Sequence, residues 1–283
     1  MDQSNCLLCG IANAVSPWFI KDNGGAMYPI VRCTICKSAF VWPRPDSRII
    51  SALYSTPVTR ANGKTNGIYL PSAEADAKRL FQRLGSSIAR GLLLDIGAGE
   101  GFASAEAVRR GFKVRACEPS RDAAQRFAQR MGFDPDPTFF DFDYAQRNSA
   151  NFDVAILSHV LEHIPDPDLF VQNIRTVLKP GGSLIVAVPL FGSILTPLMG
   201  KKDFFVTPPT HLNYFSLAGL TGLLNRHGFQ VAASYTSPKV NMERYKSSLG
   251  PMRYAVNIGG YLVLKGSEIF HRSVVLNVCA KRN

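Results

Sequence analysis

The chain has 283 residues, with 32 Lys and Arg against 21 Asp and Glu, for a formal charge of +11. With 46% hydrophobic and 19% charged residues it can bury a full core, which excludes a disordered chain, a collagen-like repeat and a coiled coil. Six cysteines are too sparse for a disulfide scaffold and Met1-Asp2-Gln3-Ser4 lacks the regions of a secretory leader, so a reducing cytoplasm is expected.

The charge is uneven along the chain. Residues 1–90 carry 11 basic against 5 acidic side chains, residues 91–190 carry 10 against 13, and residues 191–283 carry 11 against 3. No basic run exceeds two residues, so there is no tail for gripping nucleic acid. The excess in the flanks reads as a solvated surface or as a field that draws in an anionic substrate.

The first predicted element is a metal knuckle pair. Cys6-Leu7-Leu8-Cys9 and Cys33-Thr34-Ile35-Cys36 give four thiolates in two Cys-x-x-Cys pairs, the spacing of a zinc ribbon. Four thiolates leave no open position, so Cys6, Cys9, Cys33 and Cys36 predict a structural zinc ion that folds a segment without a core of its own. Cys117 and Cys279 lie in apolar runs and read as buried free thiols.

From Gly91 an apolar strand enters the turn Gly97-Ala98-Gly99-Glu100-Gly101 and then a helical stretch, Phe102 to Arg110. A second strand, Phe112 to Cys117, ends at Glu118. This is a βαβ unit whose carboxylate can accept hydrogen bonds from both hydroxyls of a ribose. The turn departs from the G-x-G-x-x-G of dinucleotide binders, so no pyrophosphate is required. The stretch Pro137 to Tyr144 lacks a clean strand pattern. A strand ending at Ser158-His159 follows, then a helix with Asp168 as a candidate cap and Phe170, Ile174, Val177 and Leu178 inward.

No charged residue occurs from Pro180 to Gly200, yet its prolines and glycines break a helix, and Ser183 to Val188 reads as a buried strand. Phe191 to Pro209 reads as a lid, a substrate-pocket insertion or a dimer contact. His211 and Tyr214 precede a helix that Ser216 can cap, with Leu217, Leu220, Leu223 and Leu224 facing inward and His227 capping its end. Ser273 to Ala280 reads as a strand closing the sheet.

Leu92-Leu93-Leu94-Asp95-Ile96-Gly97-Ala98-Gly99-Glu100-Gly101, Glu118, the run Phe152 to Ile164 and Leu178-Lys179-Pro180-Gly181-Gly182 together resemble a class I S-adenosylmethionine-dependent methyltransferase. More narrowly, the ribbon, Phe40-Val41-Trp42-Pro43-Arg44-Pro45, Tyr54 and Thr210-His211-Leu212-Asn213-Tyr214-Phe215-Ser216 resemble bacterial zinc-ribbon methyltransferases, a group that includes deoxysugar C-methyltransferases. The extra carboxy-terminal domain of the latter is not expected within this sequence.

The resemblance implies an α/β fold: a Rossmann-like, seven-stranded, mostly parallel sheet with helices on both faces, plus the small ribbon. The expected organisation is a ribbon over 1–45, a helical linker over 46–90 and a methyltransferase domain over 91–283, with an insertion near 190–215. It implies S-adenosylmethionine held by Asp95, Gly97, Ala98, Gly99, Gly101, Glu118, Pro119, Ser158 and His159, with Asp141 or Asp143 at the adenine. Methyl transfer to a neutral oxygen or carbon nucleophile needs a base, for which His211, Tyr214 and His163 are candidates. Each also has a structural reading, as an anchor of its loop. The expected acceptor is a small anionic metabolite such as a nucleotide-linked sugar or polysaccharide precursor. The alternatives are an RNA-modifying enzyme and a non-catalytic cofactor-binding partner protein.

Overall fold

The computed structural model describes residues 5–50, 73–84, 88, 90–194, 196, 203, 205–238, 262–263 and 265–283. Tyr54, most of the expected linker and part of the 190–215 insertion lie outside these residues.

The chain begins with a hairpin, β1 (Val15–Asn23) and β2 (Ala26–Cys33), paired so that Asn23 faces Ala26. Gly24 and Gly25 are the two-residue loop between them and both have positive φ, the backbone that matches strand twist in a tight hairpin. β3 (Ala39–Val41) pairs with β2. The sheet gains a fourth strand from far downstream, β8 (Asn213–Tyr214), which pairs with β3.

The second sheet follows helix α1 (Ala73–Leu84). Its parallel strands are β4 (Leu92–Ile96), β5 (Lys113–Cys117), β6 (Phe152–Ser158) and β7 (Leu178–Pro189), and β10 (Val275–Arg282) runs antiparallel between β7 and β9 (Phe229–Ser237). The order is β5-β4-β6-β7-β10-β9. Among the described residues this sheet has six strands rather than the seven expected. Beyond β5 the chain makes only one parallel bridge, Cys117 to Asp136. Asp136 donates to the Ala116 carbonyl and accepts from the Glu118 N–H, and Pro135 and Pro137, which face the other edge, have no N–H to offer a further strand.

Strand periodicity divides the core. Leu94, Ile96, Ala155, Leu157, Leu184, Val186 and Val188 pack in one cluster, while their neighbours Leu93, Val154, Ile156, Ile185 and Ala187 pack in another. The first face is covered by α5 (Pro167–Val177) and α6 (Leu217–Arg226), the second by α1 and α2 (Phe102–Arg109). Such doubly covered strands read as continuous apolar runs.

Two local expectations change. Asp166, not Asp168, caps α5, accepting from the Leu169 N–H at 3.0 Å with Pro167 in the first turn. Asp168 instead pairs with Arg226 and His227, each at 2.7 Å, which ties α5 to the end of α6. Leu217 is 37% exposed, while Leu220, Leu223 and Leu224 are fully buried. Ser216 caps α6 through the Gly219 N–H and His227 is its C-cap residue. No described helix is long and apolar enough to cross a membrane.

Candidate active site

The carboxyl ends of β4, β5 and β6 open into a cavity of about 680 Å3. Gly97 turns the chain out of β4 with φ +66, its N–H bonded to the Cys117 carbonyl at 2.9 Å. A side chain there would strike Val160 at 2.8 Å, and one at Gly101 (φ +80) would strike Phe127 at 2.8 Å. Gly101→Ala therefore combines a left-handed backbone with a clash at the start of α2, and a loss of about 1–3 kcal/mol is expected in denaturant unfolding. An unchanged midpoint would contradict this reading of the turn.

Glu118 and Asp95 hold the turn electrostatically. Glu118 Oε2 accepts from the Gly99 N–H at 2.7 Å and Oε1 from the Ser120 N–H at 2.8 Å, so one carboxylate clamps both strand-end loops. Burial pushes its pKa up, against these two hydrogen bonds. Asp95 is 1% exposed and accepts from Ser104 Oγ at 2.6 Å. Burial raises its pKa to about 6, the Ser104 bond opposing and Glu118 adding to the rise.

Of the expected cofactor residues, Gly97, Glu118, Pro119, Asp141 and His159 line the cavity. Asp95, Ala98, Gly99 and Gly101 build the turn behind it, and Ser158 is the last residue of β6. The two aspartates separate: Asp141 lines the cavity and caps α4 (Phe142–Arg147), the helix after α3 (Arg121–Met131), whereas Asp143 is exposed and off the lining.

Sequence reasoning missed the aromatic wall. Phe139, Phe140 and Phe142, with Leu169, Phe170 and Asn173 from α5, form one wall of the lining. The signal was present as three phenylalanines in four residues within a stretch of no regular pattern. Among the described residues, no Lys or Arg lines the cavity.

A 3-10 turn, Leu161–His163, follows β6 and brings three histidines around one carboxylate. His159 Nδ1 is 3.2 Å and His163 Nε2 3.9 Å from Glu162 Oε1, and the His163 and His211 rings lie 4.8 Å apart. Burial opposes ionisation of Glu162, but the His159 hydrogen bond and the fields of His163, His159 and His211 outweigh it and hold its pKa down. Burial also lowers His211 to about 4. Tyr214 is 4% exposed, donates its hydroxyl to the His211 carbonyl at 2.8 Å and is pushed far up by burial. It borders a smaller recess with His211, whereas His163 lines the main cavity.

The four ribbon cysteines converge. Cys6 and Cys36 sulfurs are 3.8 Å apart and Cys9 and Cys33 sulfurs 3.7 Å apart, all four within 4.8 Å of one another. Four thiolates at ~2.3 Å from a tetrahedral zinc ion are separated by about 3.8 Å, whereas a disulfide brings sulfurs to ~2.05 Å. The Cys9 N–H points at Cys6 Sγ and the Cys36 N–H at Cys33 Sγ, as in a knuckle. The hydrogen bond between Cys6 and Cys36 pushes the Cys6 thiol up and the Cys36 thiol down. The donor set fits zinc.

A glycine turn, a buried carboxylate and an acidic second strand end on this sheet define the class I S-adenosylmethionine-dependent methyltransferase domain. A family model described as a methyltransferase domain matches residues 69–234, and the chain belongs to that family. It is similar to a ubiquinone biosynthesis O-methyltransferase of Coxiella burnetii (strain Dugway 5J108-111), 28% identical over 118 residues, 40% of this chain and 50% of that protein. A protein of the same description from Caulobacter vibrioides is 35% identical over 102 residues, 34% of this chain and 39% of its own. These matches thus span half or less of the relatives' length. Among solved structures, a methyltransferase of Archaeoglobus fulgidus aligns with TM-score 0.54 and 17% identity over 74% of this chain and 94% of its own. The 1,6-didemethyltoxoflavin-N1-methyltransferase of Burkholderia thailandensis aligns with TM-score 0.54 and 17% identity over 94% of this chain and 99% of its own.

Proposed function

We propose that the protein transfers a methyl group from S-adenosylmethionine to a hydroxyl of a small, largely apolar acceptor, and that its ribbon holds one structural zinc ion. The observation that carries the acceptor class is the lining: aromatic and aliphatic walls, carboxylates at Glu118, Asp141 and Asp166, and no described cation. Among the described residues no Lys or Arg lines the cavity to meet the phosphates of a nucleotide sugar, and the lining supports an apolar acceptor in its place. The relatives, named for ubiquinone biosynthesis and as O-methyltransferases, point the same way.

When bound, the cofactor supplies a methyl group on a positively charged sulfur, ready for in-line displacement. The chain's own residues do the rest. Glu118 would hold the ribose hydroxyls, Asp95 behind the turn would favour the ammonium group, and the phenylalanines would exclude water from the aligned acceptor. The acceptor's hydroxyl gives up its proton to water at the cavity's edge by His159 and His163, the two histidines of the lining.

Glu118→Ala is expected to weaken S-adenosylmethionine binding at least about tenfold in an equilibrium titration, the loss of two charge-assisted hydrogen bonds. Unchanged affinity would sink the cofactor assignment. Turnover of hydroxylated aromatics and of nucleotide sugars, assayed side by side, tests the acceptor class.

A further inference from the structure

Besides the cysteines, the described residues hold a second group of metal-binding side chains. Glu162 and His163 from the turn after β6, and His211 from the loop before β8, offer ligand atoms within 4.8 Å of one another. Glu162 is 1% exposed, and while its Oε1 accepts from His159, its Oε2 is buried without any hydrogen-bond partner. A buried carboxylate oxygen left so calls for a donor or a cation.

The imidazoles are set for the second of these. His163 Nδ1 lies 2.7 Å from the Thr210 carbonyl and His211 Nδ1 lies 2.7 Å from the Phe205 carbonyl. A carbonyl only accepts, so each Nδ1 carries the hydrogen and each Nε2 of the neutral ring presents a lone pair. Backbone carbonyls that fix the tautomer and ring plane in this way are the usual outer support of metal-binding histidines.

We propose that the Glu162 carboxylate and the Nε2 atoms of His163 and His211 bind a divalent transition-metal ion at the edge of the cavity. Two nitrogens and one carboxylate favour ions of the zinc, iron(II) and manganese class over magnesium or calcium. Three protein ligands leave positions open, and His163 lines the cavity, so those positions are within reach of an acceptor oxygen. Ligand atoms at ~2.0–2.2 Å from a tetrahedral ion lie ~3.3–3.6 Å apart, so the side chains close by about 1 Å on binding. The role, though not the site, rests on the methyl-transfer reading. A hydroxyl bound to the ion sheds its proton to water more readily, and its oxygen then forms the bond to the methyl carbon as the carbon–sulfur bond breaks.

The test uses the full chain with its ribbon loaded with zinc, titrated with Co2+. One Co2+ per chain is expected, with visible absorption lacking the sulfur-to-cobalt bands that a thiolate site would show. Glu162→Gln, His163→Ala and His211→Ala should each weaken Co2+ binding at least about tenfold. Should Glu162→Gln lose its cooperative melt, the two histidine variants decide. A wild-type chain that takes up no Co2+ outside the thiolates, or histidine variants that bind it unchanged, would overturn the site. S-adenosylmethionine titrations of the same samples report the methyl-donor reading separately, so either reading can fail alone.

Discussion

Replacing Cys36 with serine is expected to abolish the zinc binding proposed for the ribbon and to loosen the loop that carries His211, while the cofactor turn stays intact. The route is a chain of contacts. The Cys36 carbonyl accepts from Ser216 Oγ at 2.5 Å, Ser38 Oγ accepts from the Ser216 N–H at 2.9 Å, and the Val41 N–H donates to the Leu212 carbonyl at 3.0 Å. The β3–β8 pairing and Arg44, which donates to the Leu212 carbonyl at 2.8 Å and to Asn213 Oδ1 at 2.5 Å, complete the connection. β8 passes it on: Asn213 Nδ2 donates to the Leu161 and Ile164 carbonyls at 3.1 and 2.7 Å, and the Leu212 N–H to the Glu162 carbonyl at 2.8 Å.

A structural zinc ion contributes ~10–16 kcal/mol to folding a small segment, far more than any one of these hydrogen bonds. Its loss should therefore unfold β1 to β3 and remove β8's only strand partner in the described structure. In Cys36→Ser, metal analysis should find less than one zinc per chain, and amides of residues 211–216 should exchange at least about a hundredfold faster. Amides of β4 and β6 should remain protected, and S-adenosylmethionine affinity should change by less than about threefold. Full zinc with unchanged exchange would remove the ribbon's role as a brace, and collapse of β4 would show that the two sheets do not fold separately.

The brace was illegible in the sequence because a two-residue strand carries no periodicity. Only the fold brings Ala39 to Tyr214. By contrast β4, its glycine turn and Glu118 could be read directly, since an apolar run, positive-φ glycines and a strand-end carboxylate are each local and agree. Asp166 and Asp168 flank Pro167, and the preference of proline for the first helical turn selects Asp166; composition alone does not distinguish the two. The charge is less informative for a different reason. A segment's net charge does not place side chains, and among the described residues the excess over 1–90 and 191–283 puts no Lys or Arg into the cavity lining. Tyr214 was a fair candidate base by position, but its hydroxyl is committed to the carbonyl three residues back, which a sequence cannot display.

Asp95→Asn is expected to stabilise the cofactor-free protein at neutral pH and to impair cofactor binding. In the unfolded chain Asp95 titrates near the ordinary 3.8, and in the fold burial raises it to about 6. The folded state therefore holds a proton that the unfolded state has released, and stability falls as pH rises from about 4 through about 6. Two units correspond to roughly 3 kcal/mol at pH 7 as an upper bound, less about 1 kcal/mol for the weakened bond from Ser104. Asparagine has nearly the same shape and no charge to bury. The midpoint of thermal unfolding should rise by about 2–6 °C at pH 7.5, and the difference should vanish near pH 4. A lower midpoint at pH 7.5 would show that the carboxylate stabilises the empty site. Affinity for S-adenosylmethionine should fall at least about tenfold in the variant, and in the wild type it should weaken below pH 6 as Asp95 protonates. On the proposed cofactor assignment, the buried charge is a cost to the fold that the cationic ligand would offset.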